Sequence, residues 1–258
     1  MDTMQKISIY YNALTKAERL TCDLIIEKPE IVIDNPIAEA AAFYNVSPSS
    51  ILRLSKKLKY KGYSEFRYAL EACTNKSNSS DDNHNSICNQ VINIYQSTFD
   101  ELKNQFNEEQ IEKLINIIKT KNIKTIGIGN SSLPAKQLAY SLYMEDRWCE
   151  NIDDSVRIGF LENHIGKDDA AIFFTVSAEN DLYYSQAKKW RNSGATVVVI
   201  TTNPEARLKK VSDLTIVLPA FPLTFQKSSQ HVHYLENRST FYVFIDILLA
   251  YYTANKGH

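Results

Sequence analysis

The second half of the chain alternates short apolar runs with stretches of helical spacing, and this alternation most constrains the fold. The apolar runs lie at 125–128, 170–176, 196–201 and 215–218. Runs of this length, separated by helical segments, are typical of strands in βαβ units with right-handed crossovers. We therefore predict an α/β fold with a doubly wound parallel sheet for this part of the chain.

Residues 5–75 differ, because their apolar positions recur at helical spacing with no strand-like alternation. Thr15 and Glu18 have the spacing of a capping box. The helix that they begin is predicted to direct three apolar side chains inward, namely Leu20, Leu24 and Ile25.

A connection bracketed by prolines, at 29–36, separates this helix from the next ones. Three further helices are predicted over about 37–44, 48–59 and 64–72. Ser47 is the predicted N-cap of the middle helix and Pro48 its first residue. Ser64 is the predicted cap of the last one.

The predicted domains are separated by a polar segment. Residues 74–86 are rich in Asn and Ser and lack apolar anchors, which is typical of a linker. With 258 residues the chain is long enough for two domains that each bury a core. We predict an all-helical domain over 1–76, a linker over 77–86 and an α/β domain over 87–258.

The composition excludes several classes of protein. Hydrophobic residues make up 44% and charged residues 23%, as in ordinary soluble domains. The four cysteines lack metal-ligand spacing, which predicts free thiols in a reducing compartment and no metal site. No secretory signal opens the chain, and the longest apolar run, 241–252, is too short to span a bilayer. We expect a cytoplasmic protein with no cofactor and no membrane partner, and a buried C-terminal helix.

Charge is concentrated in one segment although the net charge is only −1. Residues 1–44 have four Lys or Arg against seven Asp or Glu, whereas residues 45–70 have six against Glu65 alone. A short basic block in a neutral protein is a candidate nucleic-acid surface. A solvated helix face has the same charge pattern.

The basic block coincides with two short helices joined by a small turn, which is the arrangement of a helix-turn-helix motif. The first turns of the second helix must carry small or polar side chains that can meet base edges in the major groove. Ser49, Ser50 and Arg53 occupy those turns. Lys56 and Lys57 lie further along, where they would reach phosphates. An ordinary helical bundle with a basic face, packed through Ile51, Leu54 and Leu58, is the alternative.

Two polar loops in the second half follow predicted strands and open predicted helices. The first, at 127–132, has glycines that let the backbone approach a ligand and a helix start that attracts anions. Its candidate ligand residues are Gly129, Asn130, Ser131 and Ser132. The second loop, at 176–180, offers Ser177, Glu179 and Asn180. Loops at the carboxyl ends of neighbouring parallel strands converge on one crevice, where such sheets bind ligands.

The first loop argues against a dinucleotide and for a phosphate. Ser132 replaces the third glycine of the dinucleotide fingerprint, and no acidic residue ends a strand about twenty residues further on. Asparagine and serine side chains at a helix start suit a phosphate better. A strand-to-helix turn that binds nothing has the same signature.

The segments around the helix-turn-helix motif resemble the N-terminal domain of RpiR-family regulators. That family has a V-S-x-x-[ST]-[IV]-x-R stretch and then a G-[FY]-x-[ED]-[FL]-[KR] stretch, and residues 46–53 and 62–67 match both at the family's spacing. The resemblance covers essentially the whole chain, since the family continues with a sugar-isomerase-type (SIS) domain. It implies DNA contacts from Ser49, Ser50, Arg53, Lys56, Lys57 and Lys61.

The two polar loops resemble the phosphosugar loops of SIS domains, G-x-G-x-S and S-x-S-G-E-T. The match implies ligand contacts from Ser131 or Ser132, Ser177 and Glu179. The second loop departs from the pattern at three positions, Thr175, Ala178 and Asn180, where the family has Ser, Gly and Thr. A Cβ atom at position 178 is expected to crowd a backbone that approaches phosphate or needs positive φ.

The resemblance implies a DNA-binding regulator of carbohydrate metabolism that senses a phosphorylated sugar and is not an enzyme. One short recognition helix buries too little surface for specificity, so we expect a homodimer or higher oligomer on double-stranded operator DNA. SIS folds also serve aldose–ketose isomerases, for which Glu179 is the candidate base without a second acid–base partner. A stand-alone carbohydrate-binding protein leaves the basic helix unexplained. A ligand-independent regulator with a degenerate pocket is the remaining alternative.

Overall fold

The structure, a computed structural model, describes residues 1–77, 86–161, 164–220, 223–226, 232–235 and 237–254. The helices, in chain order, are α1 (Thr3–Tyr10), α2 (Lys16–Glu27), α3 (Pro29–Asp34), α4 (Ile37–Phe43), α5 (Pro48–Lys57), α6 (Tyr63–Ser77), α7 (Ile87–Gln105), α8 (Glu108–Thr120), α9 (Ser132–Met144), α10 (Ser155–Phe160), α11 (Asp181–Asn192) and α12 (Ser239–Ala254). The strands are β1 (Asn122–Ile126), β2 (Cys149–Ile152), β3 (Asp169–Thr175), β4 (Thr196–Thr201), β5 (Leu214–Val217), β6 (Leu223–Gln226) and β7 (Val232–Leu235).

The chain divides into two compact units. The first comprises residues 1–99 with 220–237, and the second comprises 100–219 with 238–258. The division falls inside α7, between Phe99 and Asp100. The predicted linker at 77–86 lies almost wholly outside the described residues.

The first unit contains the predicted helices with their main start signals. The Thr15 hydroxyl accepts from the Glu18 backbone at 3.3 Å, and the Glu18 carboxylate accepts from the Thr15 backbone at 2.8 Å, which confirms the capping box. The predicted inward direction of Leu20 is wrong, because its side chain is 60% exposed. The helix instead buries Thr21, Cys22 and Ile25, and at 3.6 residues per turn Leu20 falls on another side.

Three boundaries in this unit differ from prediction. The proline-bracketed connection contains the short helix α3, which Pro29 begins at its first position. The Phe66 backbone N–H donates to the Gly62 carbonyl at 3.2 Å, so α6 begins at Tyr63 and Ser64 lies within it rather than capping it. The same helix continues to Ser77, beyond its predicted end near residue 72.

The second unit contains a five-stranded parallel sheet with the order β2-β1-β3-β4-β5. Side chains from both sheet faces form cores with helices, so the predicted doubly wound fold is confirmed. One core joins the sheet to α8, α9 and α12 through residues that include Leu114, Leu138, Ile172, Ile200 and Phe244. The other joins it to α10 and α11 through residues that include Ile158, Phe173, Tyr183, Trp190 and Val199.

The strand predictions are correct in place and partly wrong in extent. The run 196–201 coincides with β4, whereas β1 begins at Asn122 and ends at Ile126, before the predicted end at 128. The chain leaves the sheet there because Gly127 starts a sharp turn. The sequence did not predict β2, an edge strand in which only Ile152 is fully buried. Short edge strands with little burial lack the apolar run of central strands.

The C-terminal helix is buried as predicted. α12 buries Phe241, Phe244, Ile245 and Leu248 against the sheet. In the part of the chain that the structure describes, no helix is both long and apolar enough to cross a membrane. The antiparallel pair β6–β7 belongs to the first unit and was not predicted.

Candidate functional site

The second helix of the predicted DNA-binding motif begins where the sequence places it. The Ser47 hydroxyl accepts from the Ser50 backbone N–H at 3.2 Å, and Pro48 is the first helical residue of α5. The Ser47 hydroxyl also lies 2.8 Å from both the Ser49 and Ser50 hydroxyls. The two candidate serines are therefore joined to the cap at the exposed start of the helix.

The predicted DNA-contacting residues share one face of α5. Ile51, Leu54 and Leu58 are fully buried on the other side. Arg53, Lys56 and Lys57 are exposed, as is Ser49, and Ser50 is half-buried. The helix thus offers polar groups at its start and cations further along, the arrangement that base and phosphate contacts require.

Lys57 has a partner within the chain. Its Nζ atom lies 3.6 Å from a carboxylate oxygen of Glu18, whose side chain is only 12% exposed. Burial opposes ionisation of Glu18, but hydrogen bonds from Thr15 and the charge of Lys57 outweigh it and hold the pKa of Glu18 below its usual value. Part of the charge of Lys57 is therefore compensated, whereas Lys56 has no such partner among the described residues.

A basic group that the sequence analysis missed lies on α1. The Lys6 ammonium stands 3.8 Å from the centroid of the Tyr60 ring and 3.4 Å from the backbone carbonyl of Lys59. Lys59 adopts a left-handed φ of 64° just after α5. Lys61, predicted to contact phosphate, is exposed nearby in the chain and its backbone N–H donates to Glu65. Because Lys6 is more than fifty residues away in sequence, only the fold connects it to this basic segment.

The two polar loops of the second unit follow adjacent strands. β1 lies between β2 and β3, and the chain crosses to opposite sides of β1 on the way to its two neighbours. Such a reversal of strand order is a topological switch point, and open α/β sheets bind ligands there, outside the carboxyl ends of the strands. The structure therefore brings the loops 127–131 and 176–180 to one edge of the sheet.

The first loop makes a close turn that depends on glycine. A Cβ atom on Gly127 would lie 2.2 Å from the Ser131 carbonyl oxygen, and Gly129 adopts a φ of 62°. α9 then begins at Ser132 without a side-chain cap. Ser131 and Ser132 are half-buried, and within the described residues their hydroxyls make no hydrogen bond. A helix start without a side-chain cap, next to two hydroxyls that make no hydrogen bond within the described residues, is suited to an anion.

The second loop is held in place by the end of β4. The Thr201 hydroxyl donates to the Val176 carbonyl at 2.8 Å, and the buried Asn203 amide donates to the Ser177 carbonyl at 2.8 Å. The hydroxyl of Ser177 itself has no partner among the described residues. The backbone of this loop is therefore fixed while its serine hydroxyl stays available.

Ala178 adopts the conformation for which glycine is favoured. Its φ is 53°, and its side chain is fully buried in the apolar cluster that includes Tyr183 and Leu208. The Ala178 N–H donates to the Thr175 hydroxyl at 3.2 Å. The second loop thus requires a positive φ at position 178, and alanine adopts it. The methyl group packs in the core rather than in open space.

Glu179 and Asn180 already have partners in the chain. The Glu179 carboxylate accepts from the backbone N–H of Arg207 at 3.3 Å, and Asn180 caps α11 by accepting from the Tyr183 N–H at 3.2 Å. Both groups therefore position the loop. Asn130 in the first loop is exposed and also makes a contact within the chain.

The lysine of α9, the helix that follows the first loop, forms an ion pair within the chain. Lys136 lies 2.5 Å from Asp153, and its hydrogen bond holds the pKa of that carboxyl below the usual range. The groups at the first loop that are suited to an anion are therefore backbone N–H groups, hydroxyls and the helix dipole. The described residues contain no cluster of His, Cys, Asp and Glu side chains that could hold a metal ion.

The chain matches two known families over most of its length. Residues 1–77 match the helix-turn-helix domain of the rpiR family, and residues 116–249 match the SIS domain. An uncharacterized HTH-type transcriptional regulator of Haemophilus influenzae is 22% identical over 84% of this chain and 79% of that protein. One of Thermotoga maritima is 23% identical over 84% of this chain and 81% of that protein.

One solved structure of similar fold is that of the Vibrio vulnificus NanR protein complexed with ManNAc-6P. The TM-score is 0.57 at 18% identity, and the alignment covers 97% of this chain and 92% of that one. At this identity the likeness is one of fold. Together with the two family matches, it agrees with the helical first unit and the doubly wound second unit. The chain belongs to the RpiR family of helix-turn-helix transcription regulators and has an SIS domain.

Proposed function

We propose that this regulator binds operator DNA as a homodimer through α5 and that its SIS domain binds a phosphorylated sugar at the carboxyl ends of β1 and β3. Binding of the sugar shifts the balance between arrangements of the dimer that differ in DNA affinity. Such coupling requires that the sugar has different affinity for those arrangements.

One observation carries the sensor proposal. Two loops at adjacent strand ends hold three hydroxyls, those of Ser131, Ser132 and Ser177, without partners among the described residues, next to a helix start without a side-chain cap. Hydroxyls and free backbone N–H groups are the donors that a phosphate takes at a helix N-terminus. The V. vulnificus NanR structure holds a sugar phosphate, ManNAc-6P, in a protein of similar fold. These facts favour a phosphosugar over a neutral ligand.

The DNA proposal is supported by the exposed face of α5. Small hydroxyls at the start of the helix and Arg53 are assigned to base edges, and Lys56, Lys57 and Lys61 to phosphates. Two copies are needed because the half-sites of such regulators lie about one helical turn of DNA apart, roughly 34–36 Å. Contact with chromosomal DNA also accords with a cytoplasmic protein.

Glu179 argues against an isomerase. Its carboxylate accepts a backbone hydrogen bond from Arg207, which orients it within the loop, and the sequence offers no second acid–base partner for it. A base that shuttles a proton between two carbons must reach the substrate. We therefore assign Glu179 a positioning role and propose that the protein is not an enzyme.

The proposal is tested by calorimetric titration of the full-length protein with hexose, amino-sugar and N-acetylated sugar phosphates. Each phosphosugar is paired with its unphosphorylated sugar and with inorganic phosphate. We expect one phosphosugar to bind, its unphosphorylated counterpart not to bind, and the same compound to change operator affinity in a mobility-shift assay. A folded protein that binds DNA but gives no heat with any phosphosugar would instead be a ligand-independent regulator.

A further inference from the structure

Tyr183 joins the two polar loops of the second unit to each other. It lies on the first turn of α11, and its backbone N–H donates to the Asn180 side chain of the second loop at 3.2 Å. Its hydroxyl oxygen accepts from the backbone N–H of Ile128 in the first loop. One residue therefore bonds to both loops, to the second through its main chain and to the first through its side chain.

The Tyr183 ring is held by the core between the loops. The side chain is only 3% exposed, and its ring centroid lies 5.1 Å from that of Phe173 on β3. It belongs to the apolar cluster that includes Ala178 of the second loop, and Ile128 packs against the same cluster. Burial raises the pKa of Tyr183, so the hydroxyl stays neutral in the physiological range. Close packing therefore sets the position of a neutral hydroxyl.

The bond to Ile128 lies just before the turn of the first loop. Ile128 is extended, with a φ of −115°, and the chain then turns at Gly129 with a φ of 62°. The candidate hydroxyls of Ser131 and Ser132 follow this turn directly. A shift of Ile128 would therefore be passed on to both hydroxyls.

The two loops depend on this bond to different degrees. The second loop has its own contacts with the end of β4, through Thr201 and Asn203. The first loop leads into α9, which begins without a side-chain cap. Loss of the Tyr183 hydroxyl should therefore disturb the first loop and leave the second in place.

We propose that Tyr183 is a positioning residue that sets the first loop against the second, so that hydroxyls from both loops reach one phosphate. Donors that are held in place before binding spare the ligand the entropic cost of ordering a loop. The inference rests on the proposed function, and it adds to the phosphosugar site a residue that acts through the loops rather than by touching the ligand.

Tyr183→Phe tests the bond itself, because it removes the hydroxyl and keeps the ring in the core. In the full-length protein without ligand, we expect hydrogen exchange of the Ile128 amide to be on the order of ten-fold faster, since the amide loses its acceptor. Tyr184→Phe, the same change at the next position of α11, is the matched control and should leave this amide unchanged. Circular dichroism confirms that each variant is folded.

Calorimetry with the panel of hexose, amino-sugar and N-acetylated sugar phosphates tests the consequence for binding. We expect Tyr183→Phe to weaken phosphosugar binding on the order of ten-fold. Ser131→Ala and Ser132→Ala, made together, should cost less affinity in Tyr183→Phe than in the wild type, because the first loop is already displaced. Ser177→Ala should cost the same in both backgrounds. A residue that only stabilises the fold would give additive losses at both loops.

Unchanged exchange of the Ile128 amide in Tyr183→Phe would overturn the proposal. Unchanged phosphosugar affinity, additive losses at the first loop or an equal loss in Tyr184→Phe would also overturn it. If no phosphosugar binds the wild type, the proposed function fails, and exchange of the Ile128 amide still decides whether Tyr183 holds the first loop.

Discussion

The ammonium of Lys57 lies 3.6 Å from the carboxylate of Glu18, so the charge that caps α2 also faces a predicted phosphate contact on α5. Glu18 therefore has two roles, one in the capping box and one as an internal competitor for a cation of the recognition helix. An anionic phosphate that approaches Lys57 must displace or share this carboxylate.

Replacing Glu18 with glutamine separates the two roles. Glu18→Gln keeps an amide oxygen that accepts from the Thr15 N–H but removes the negative charge. We expect tighter binding to all DNA sequences and a salt dependence steeper by up to about one unit, because Lys57 gains a full phosphate contact. Fluorescence anisotropy across a range of salt concentrations measures both. Glu71→Gln, an exposed site on α6, is the control, and equal slopes in both variants would count against the competition.

Replacement of Arg53 and replacement of Lys56 should have different effects on DNA binding. Arg53→Ala is expected to cost about 1–3 kcal/mol on the cognate operator and to relax its sequence preference, since Arg53 is assigned to a base edge. Lys56→Ala should weaken binding to all sequences alike and flatten the salt slope by about one unit. Competition with random DNA separates the two effects. If both variants lose only non-specific affinity, α5 does not read bases as assigned.

Ser177→Ala should weaken phosphosugar binding without disturbing the fold. The loop backbone is held by Asn203 and Thr201, so loss of the hydroxyl leaves the loop in place. A charge-assisted hydrogen bond is worth about 1.5–3 kcal/mol, which predicts a loss on the order of ten- to a hundred-fold by calorimetry. Ser185→Ala, which removes an exposed hydroxyl of α11, is the control and should bind normally. Unchanged affinity in Ser177→Ala would remove this residue from the site.

The pair Lys124–Asp169 should make the second unit sensitive to acid. Burial opposes ionisation of Asp169, but its bonds to Lys124 at 2.8 Å and to the Gly166 N–H outweigh burial and hold its pKa below the usual value. A carboxyl with a lowered pKa in the folded state stabilises above its unfolded pKa, and this stability is lost as pH falls through the folded pKa. Stability should therefore fall on acidification below the ordinary range of an aspartate.

Asp169→Asn tests this directly by chemical denaturation at several pH values. At neutral pH we expect a loss of about 1–3 kcal/mol, because the side chain of Lys124, 12% exposed, is left without its counter-ion. The acid-dependent loss should be smaller than in the wild type. Asp168→Asn, at the exposed neighbouring position, should leave the pH profile unchanged, and a wild-type profile in Asp169→Asn would contradict the assignment.

Features that depend only on residues close together in the sequence were predicted most accurately. The capping box at Thr15 and the serine–proline start of α5 involve residues within three positions of each other, and both are present as predicted. The buried run of β4 was equally clear. Leu20 and β2 failed because burial depends on which elements pack alongside, and neither a single leucine nor an edge strand carries that information.

For the candidate site, the sequence predicted that the two loops follow strands, but not the contacts that their side chains make within the chain. The predicted alternation places both loops at the carboxyl ends of strands, whereas the switch point depends on the position of β2, which the sequence did not predict. The contact of Glu179 with a ligand stays a prediction, and the hydrogen bond that its carboxylate accepts from the backbone of Arg207, 28 residues away, was not predicted. Lys6 approaches the basic segment across a longer gap, since 53 residues separate it from Lys59. Contacts between distant segments of this kind cannot be derived from spacing within a motif.

Gly127 limits which sequences can adopt the conformation of the loop at 127–131. A Cβ atom at this position would lie 2.2 Å from the Ser131 carbonyl oxygen, well inside van der Waals contact. A paralogue that carries alanine or a larger residue here must therefore have a different loop conformation. The residue at this position therefore indicates whether the ligand assignment of one family member can be applied to another. Where the glycine is present, inference about the ligand can begin from this loop, and where it is replaced, ligand assignments should not be carried across.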